Sequence, residues 1–305
     1  MKLNIITGNK GFVGGNLENY LKLQNKHIKG VSRKPLGEEV DYKNLTLEII
    51  NKSRSFIHLA GKAHDLKNTS EDSIYFEVNT KLTKKLFDQF LESTCEVFIY
   101  MSSVKAAADS LDGVLTEDII PEPITVYGKS KLAAEVYILS KKIPKDKRVY
   151  ILRPCMIHGP GNKGNLNLLY RFVSKEFPYP FGKYENKRSF VSVENLCFII
   201  NELIDNTEIE SGIYNIADDA SLSSIELVQL ISEVVNKPVR FLKIPKIFLG
   251  IIAKIGDFLP IPLNSERLQK LTENYEVSNL KIKNAIQKKL PLSSIEGIKK
   301  TITSF

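Results

Sequence analysis

The sequence predicts an α/β chain built on a doubly wound parallel sheet, with a smaller, irregular α/β region towards the C-terminus. Three observations carry that prediction. Short apolar runs alternate with helix-length segments through the first half of the chain. The first run leads at once into a glycine-rich turn. Beyond Arg153-Pro154 the alternation gives way to stretches rich in Gly, Asn and Pro.

The elements follow in order. Residues 3–7 form a short apolar strand and 8–15 the turn. A helix is expected over 12–24, where Phe12, Leu17, Tyr20 and Leu21 fall near helical spacing. Strands follow at 27–32 and 55–59. A long helix over 72–91 places Val78, Leu82 and Leu86 on one stripe. A strand at 97–102, a helix over 127–142 closed by Pro144, and a strand at 148–153 complete the regular part. Strands joined by helices imply right-handed crossovers and parallel pairing. The stretches up to residue 190 and over 238–262 read as an irregular region lying over the C-terminal edge of the sheet.

Composition narrows the function classes. Of 305 residues, 43% are hydrophobic and 26% charged, which excludes a largely disordered chain. Lys and Arg total 43 against 35 Asp and Glu; the net +8 suits an anionic ligand but is too diffuse to argue for nucleic acid. Cys95, Cys155 and Cys197 are far apart, and the four histidines have no ligand spacing, so neither a disulfide framework nor a metal site is expected. The apolar run after Met1 is too short for a signal-peptide core, and a reducing cytoplasm is the expected location. Residues 247–259 are apolar except for Lys254 and Asp257, yet a span needs about 20 residues. That stretch reads as a buried or amphipathic helix, and no membrane partner is expected.

The turn Thr7-Gly8-Asn9-Lys10-Gly11-Phe12-Val13-Gly14 gives Gly-x-x-Gly-x-x-Gly between a strand and a helix. Gly8 permits the tight turn, Gly11 close backbone approach, and Gly14 close packing of helix on strand. Lys10, Phe12 and Val13 fill the positions between. The helix N-terminus then offers N–H groups and a positive dipole end to a pyrophosphate, which predicts a Rossmann dinucleotide site. The second strand ends Ser32-Arg33-Lys34, where NAD sites usually carry an acid for the ribose diol. Arg33 suits a 2′-phosphate, so NADP(H) is favoured with NAD(H) as the alternative. Asp41 stands within reach of the adenine.

Two further patterns carry chemistry. Tyr127 and Lys131 stand at i and i+4, on one face of a helix. An ammonium beside a phenol lowers its pKa and fits it to exchange a proton as a carbonyl and an alcohol interconvert. The spacing is common by chance and gains weight only beside the glycine turn. Ser102-Ser103 ends the fourth strand, on the sheet edge where ligands bind, and offers a hydroxyl to a substrate oxygen.

Together these motifs resemble the extended short-chain dehydrogenase/reductase family, that is, the NAD-dependent epimerases, dehydratases and reductases of nucleotide sugars. Within that resemblance, His58-Leu59-Ala60-Gly61 looks like the motif after the third strand, so that Leu59, Ala60 and Gly61 line the cofactor. Asn79 matches the asparagine of the following helix, and Arg153-Pro154 with Gly159-Pro160-Gly161 matches the later segment, His158 replacing a tyrosine. Pro154 is thereby expected at the cofactor. Ser103, Tyr127 and Lys131 match the catalytic Ser, Tyr and Lys, with Tyr127 and Lys131 also touching the cofactor. Arg188, in Lys187-Arg188-Ser189-Phe190, matches the arginine on the substrate diphosphate, and Asn165 the asparagine near the nucleotide base.

The resemblance implies residues 1–160 as the dinucleotide domain, with 190–217 returning to it, and 161–189 and 218–305 as the substrate region. It also implies a homodimer. Val104-Lys105 stands where 4,6-dehydratases carry Asp-Glu, and Met156 where galactose-type epimerases carry Asn. The run looks most like the UDP-4-keto-6-deoxy-N-acetylhexosamine 4-reductases of O-antigen and capsule synthesis, the UDP-N-acetylquinovosamine type. The expected activity is therefore hydride transfer to C4 of a 4-keto sugar nucleotide. A UDP-hexose 4-epimerase with tightly held NAD is the alternative, and a non-catalytic dinucleotide-binding protein a minor one.

Overall fold

A computed structural model describes residues 2–62, 71–162, 165–259 and 263–305. In chain order the first half comprises β1 (Leu3–Thr7), α1 (Phe12–Leu23), β2 (Ile28–Ser32), β3 (Val40–Asp41), α2 (Leu47–Asn51), β4 (Ser53–His58), α3 (Asp72–Phe76), α4 (Leu82–Glu92) and β5 (Val97–Met101). Next come β6 (Val114–Leu115), α5 (Val126–Leu139), β7 (Arg148–Pro154), β8 (Met156–His158), α6 (Asn165–Ser174), β9 (Phe190–Ser192), α7 (Val193–Asp205) and β10 (Gly212–Ile216). The chain closes with α8 (Ser224–Val235), α9 (Lys246–Gly256), α10 (Ser265–Thr272), β11 (Glu276–Val277), α11 (Leu280–Ile286) and α12 (Ser294–Thr303).

Seven strands make one parallel sheet in the order β10-β7-β5-β4-β1-β2-β3. The order reverses between β1 and β4, which opens a crevice above their C-terminal ends. The strands are near-continuous apolar runs because both faces are covered; all five residues of β5 are buried. One face packs Phe56, Phe87, Phe90 and Phe98, with ring centroids 5.0–5.9 Å apart. Fully burying each such ring contributes about 1.5–3 kcal/mol. The other face is closed by α7 packed on α1.

Two differences from the sequence reading matter for the site. The helix expected over 72–91 is interrupted by a π-helical turn at Glu77–Lys81, which joins α3 to α4. The turn buries Asn79 and Thr80 and leaves Val78 only half-buried, off the expected stripe. Residues 212–216 also add a seventh strand beside β7. The C-terminal region has its own apolar cluster, in which α6, α8 and α12 close over Tyr179, Phe181 and Phe190. Capping boxes Ser223/Glu226 and Ser293/Glu296 start α8 and α12.

Candidate active site

The glycine turn follows β1 directly. Gly8 has φ +71°, and a Cβ there would lie 2.8 Å from the Ala60 nitrogen. A Cβ on Gly14 would lie 2.3 Å from the Gly8 carbonyl oxygen, and one on Gly11 3.2 Å from it. The backbone of the turn is therefore packed so closely that only glycine fits at Gly8 and Gly14. No side chain caps α1, which leaves its first N–H groups, at Phe12 and Val13, without a side-chain acceptor. This arrangement fits the pyrophosphate of a dinucleotide.

Across the crevice, Leu59, Ala60 and Gly61 follow β4. The Ala60 N–H donates to Thr7 Oγ1 at 3.2 Å. A Cβ on Gly61 would lie 3.0 Å from both Asn79 Oδ1 and Lys131 Nζ, so the loop after β4, the π turn and α5 converge on one point. Asn79 accepts from the Lys62 N–H at 2.7 Å and donates to Ser130 Oγ at 2.9 Å. Pro154 is buried at the C-terminal end of β7. Beneath the crevice floor His58 is wedged between Thr7 Oγ1 at 2.7 Å and Thr83 Oγ1 at 2.9 Å. Burial first, and the Lys131 charge second, push His58 down to about 3, so it is neutral.

The three expected catalytic side chains meet at the end of β5 and the start of α5. Thr125 caps α5 by accepting from the Gly128 N–H, which puts Tyr127 in the first turn. Thr125 is itself fixed by Asp109, which accepts from its N–H at 2.9 Å and its hydroxyl at 3.0 Å. Ser103 caps the short 3₁₀ turn after β5, its Oγ accepting from the Lys105 N–H at 3.2 Å. Its hydroxyl also bonds the Tyr127 phenol. The Tyr75 ring stands edge-on to Tyr127 at 6.4 Å.

Burial raises the Tyr127 pKa above its ordinary value, the Ser103 hydrogen bond lowers it, and Tyr75 raises it. The Lys131 ammonium donates to the Met101 carbonyl at 2.8 Å and lies 5.0 Å from the centroid of the Tyr100 ring. Desolvation lowers Lys131 to about 8, with Glu135 acting in the opposite direction. Lys131 thus stands beside Gly61, one helical turn along α5 from Tyr127.

The segment after β2 carries the residues expected at the adenosine. Arg33 is exposed, while Asp41 lies on β3 beside Ser32 and accepts from the Lys43 N–H at 2.8 Å. The residue gathered there is Glu39, which the sequence reading missed. Its carboxylate accepts from Asn9 at 2.8 Å, Ser32 Oγ at 3.1 Å and the Leu36 N–H at 2.9 Å, and pairs with Lys10 at 2.9 Å. Burial pushes Glu39 up, but the bonds from Asn9, Lys10, Leu36 and Ser32 outweigh it and hold the carboxyl at about 2. Its distance along the chain from the end of β2 hid it. The only sequence signal was an acid ahead of the short strand.

Arg188 lies in the C-terminal region, its backbone bridging Leu222 and Tyr275. It is half-buried and lines a chamber of about 380 Å³. Desolvation lowers its pKa, with Glu273, Tyr275 and Cys155 acting the other way. Tyr275 links Arg188 to the catalytic loop, donating to the Ala108 carbonyl at 2.6 Å and the Val104 carbonyl at 3.3 Å. Asn165 opens α6, but its side chain lies outside the described residues. His158 is buried and structural, its Nδ1 2.8 Å from Thr301 Oγ1. Among the described residues no cluster of His, Cys, Asp or Glu has the makings of a metal site.

Comparison with known proteins agrees with this geometry. Residues 4–217 match the model of the NAD dependent epimerase/dehydratase family. The chain is 32% identical to a UDP-glucose 4-epimerase of Vibrio cholerae, over 99% of this chain and 94% of that one. It is 26% identical to the N-acetyl-alpha-D-glucosaminyl-diphospho-ditrans,octacis-undecaprenol 4-epimerase of Escherichia coli O157:H7, over 92% and 84%. The fold is shared with MoeE5, solved in complex with UDP-glucose and NAD, at a TM-score of 0.76 and 20% identity over 100% and 98% of the two chains. With its glycine cradle, its Tyr-x-x-x-Lys helix and this match across most of its length, the chain belongs to the NAD dependent epimerase/dehydratase family.

Proposed function

We propose that this protein is a C4 epimerase acting on a hexose or N-acetylhexosamine joined to a diphosphate, with NAD retained between turnovers. The observation that carries the proposal is the convergence of Ser103, Tyr127, Lys131 and Asn79 on the crevice opposite the glycine turn. A nicotinamide held there would supply reversible hydride chemistry, and C4 inverts when the hydride returns to the opposite face of the C4 carbonyl. Gly8, Lys10, Gly11, Phe12, Val13 and Gly14 hold the pyrophosphate, Leu59, Ala60, Gly61 and Pro154 line the crevice, and Asp41 faces the adenine. Lys131, with Asn79 beside it, holds the nicotinamide ribose. Tyr127 takes the proton from the C4 hydroxyl and gives it back to the C4 oxygen, while Ser103 hydrogen-bonds that same oxygen. Arg188 binds the diphosphate, a role that suits a guanidinium, and Asn165 stands at the carrier.

Glu39 supports NAD over NADP(H). A carboxylate fixed at the end of β2 accepts from a ribose diol and repels a 2′-phosphate. The whole-length similarity to a 4-epimerase supports the same reading. The relatives' names give two carriers for the sugar diphosphate, a nucleoside and an undecaprenol. A 4-ketoreductase using NADPH is the second reading, favoured by Arg33-Lys34 after β2. In it the same three residues protonate the C4 oxygen once. Polysaccharide precursor synthesis is the setting that either reaction suits.

Tyr127→Phe tests the chemistry. Turnover of UDP-glucose and UDP-N-acetylglucosamine should fall about 10²–10⁴-fold with cofactor content unaltered. Undiminished turnover in that variant removes Tyr127 from the reaction.

A further inference from the structure

Helix α9 presents two faces of opposite kind. Leu249 and Ala253 point inward and are buried, and Gly256 is pressed so close to the Leu263 carbonyl that a Cβ would lie 1.8 Å from its oxygen. The outward face carries Ile247, Phe248, Ile251, Ile252 and Ile255, all exposed, and Phe258 just beyond is 90% exposed. These positions follow the helical period, so the face is one continuous apolar stripe rather than scattered residues. Around it the charge is one-sided. Residues 237–259 contain five Lys and Arg against the single acid Asp257, whose carboxylate is taken up by the Ser265 N–H and hydroxyl. Arg240, Lys243 and Lys254 are exposed beside the stripe. An exposed apolar stripe flanked by cations is the pattern of a helix that lies in a lipid interface. At eleven residues it is far too short to span one.

The stripe has an apolar chamber of the C-terminal region for a neighbour. Helix α10 packs on α9, and Leu263 and Leu271 form part of the chamber wall. The remaining wall is mostly apolar, including Leu166, Phe172 and Phe181, and it also contains Arg188. The helix that carries the stripe thus packs against an element of the chamber in which the arginine proposed for the diphosphate stands.

We propose that the α9 face docks on an anionic lipid bilayer, and that the sugar diphosphate is carried there by a polyprenol rather than a nucleoside. The carrier half rests on the C4 reading above; the docking half does not. Docking immerses the stripe, sets Arg240, Lys243 and Lys254 against lipid phosphates, and turns the chamber towards the layer that holds the polyprenol. This departs from the expectation of no membrane partner, which was drawn from the length of the apolar run. Its exposure in the fold is what changes the reading.

The test uses the full chain with vesicles of phosphatidylglycerol and phosphatidylcholine, with and without polyprenyl-diphosphate N-acetylglucosamine. The protein should float with anionic vesicles and be released by salt, and Ile251→Asp with Phe258→Asp should weaken flotation about tenfold or more. The double variant should keep its melting temperature and its turnover of the same substrate in detergent, yet lose turnover in vesicles. The wild type should prefer the polyprenyl substrate to UDP-N-acetylglucosamine. Docking is overturned if the protein does not float. It is equally overturned if the variant floats like wild type, or sediments as a smaller species because a second copy covers the stripe. Preference for the UDP sugar overturns the carrier. Flotation without turnover of either sugar sinks the C4 reading and the carrier with it, and leaves docking standing.

Discussion

Tyr127 can carry a proton only if something answers its burial, because burial alone raises its pKa. The answer here includes Ser103, whose hydroxyl lowers it. Lys131, one helical turn further along α5, is held at about 8 and donates to the Met101 carbonyl. Because Lys131 loses its proton as pH rises through about 8, kcat/KM should fall across that value. A profile flat through it would leave the ammonium without a role. Glu39 makes a separate prediction. Glu39→Ala should release Lys10 from its pair, raise NADP(H) affinity by about tenfold and weaken NAD, read by titrating cofactor fluorescence. Unchanged preference would take Glu39 out of the adenosine site.

Two buried polar pairs tie the site's elements together. Arg153 on β7 meets Glu135 on α5 at 2.5 Å, both essentially fully buried, and Ser102 donates to the same carboxylate. Removing one partner leaves a charge without compensation, so Arg153→Ala should cost about 3–5 kcal/mol in denaturant unfolding. A loss below 1 kcal/mol, roughly that of an exposed pair, would contradict this. His58 joins β1 and β4 to α4 through Thr7 and Thr83. Its folded pKa of about 3 lies below the ordinary 6.5, so the unfolded chain binds the proton first. Its stabilisation is complete above 6.5 and is lost as pH falls towards 3, so the urea midpoint should drop over that window. His58→Gln should flatten the drop. These elements also mark what the sequence disclosed. The glycine turn and Tyr127–Lys131 were legible because their function depends on spacing within one element. The π turn was not, because tertiary bonds from Asn79 to Lys62 and Ser130 set its register and local periodicity does not. The strand Gly212–Ile216 was missed for a related reason. Its five residues, Gly-Ile-Tyr-Asn-Ile, become a strand only by pairing with β7.

The molecule as a whole sets a rigid sheet edge against a cap built from α6, α8, α9, α10 and α12. Arg188 belongs to the cap and Ser103 to the sheet, and Tyr275 stitches the two, its hydroxyl on the loop after Ser103 and its backbone bridged to Arg188. Sequence motifs identified both sides, but not the apolar chamber within the cap or the exposed α9 stripe, since both depend on which faces the fold leaves open. Glu39 and Arg33 point to opposite cofactor habits, and the central claim turns on which prevails. The most direct test is to denature freshly purified protein and identify the dinucleotide it releases. Epimerisation regenerates its cofactor within each turnover, so the protein should release near-stoichiometric NAD. An empty site, or NADP(H) in its place, would contradict it and favour a reductase that exchanges cofactor every cycle.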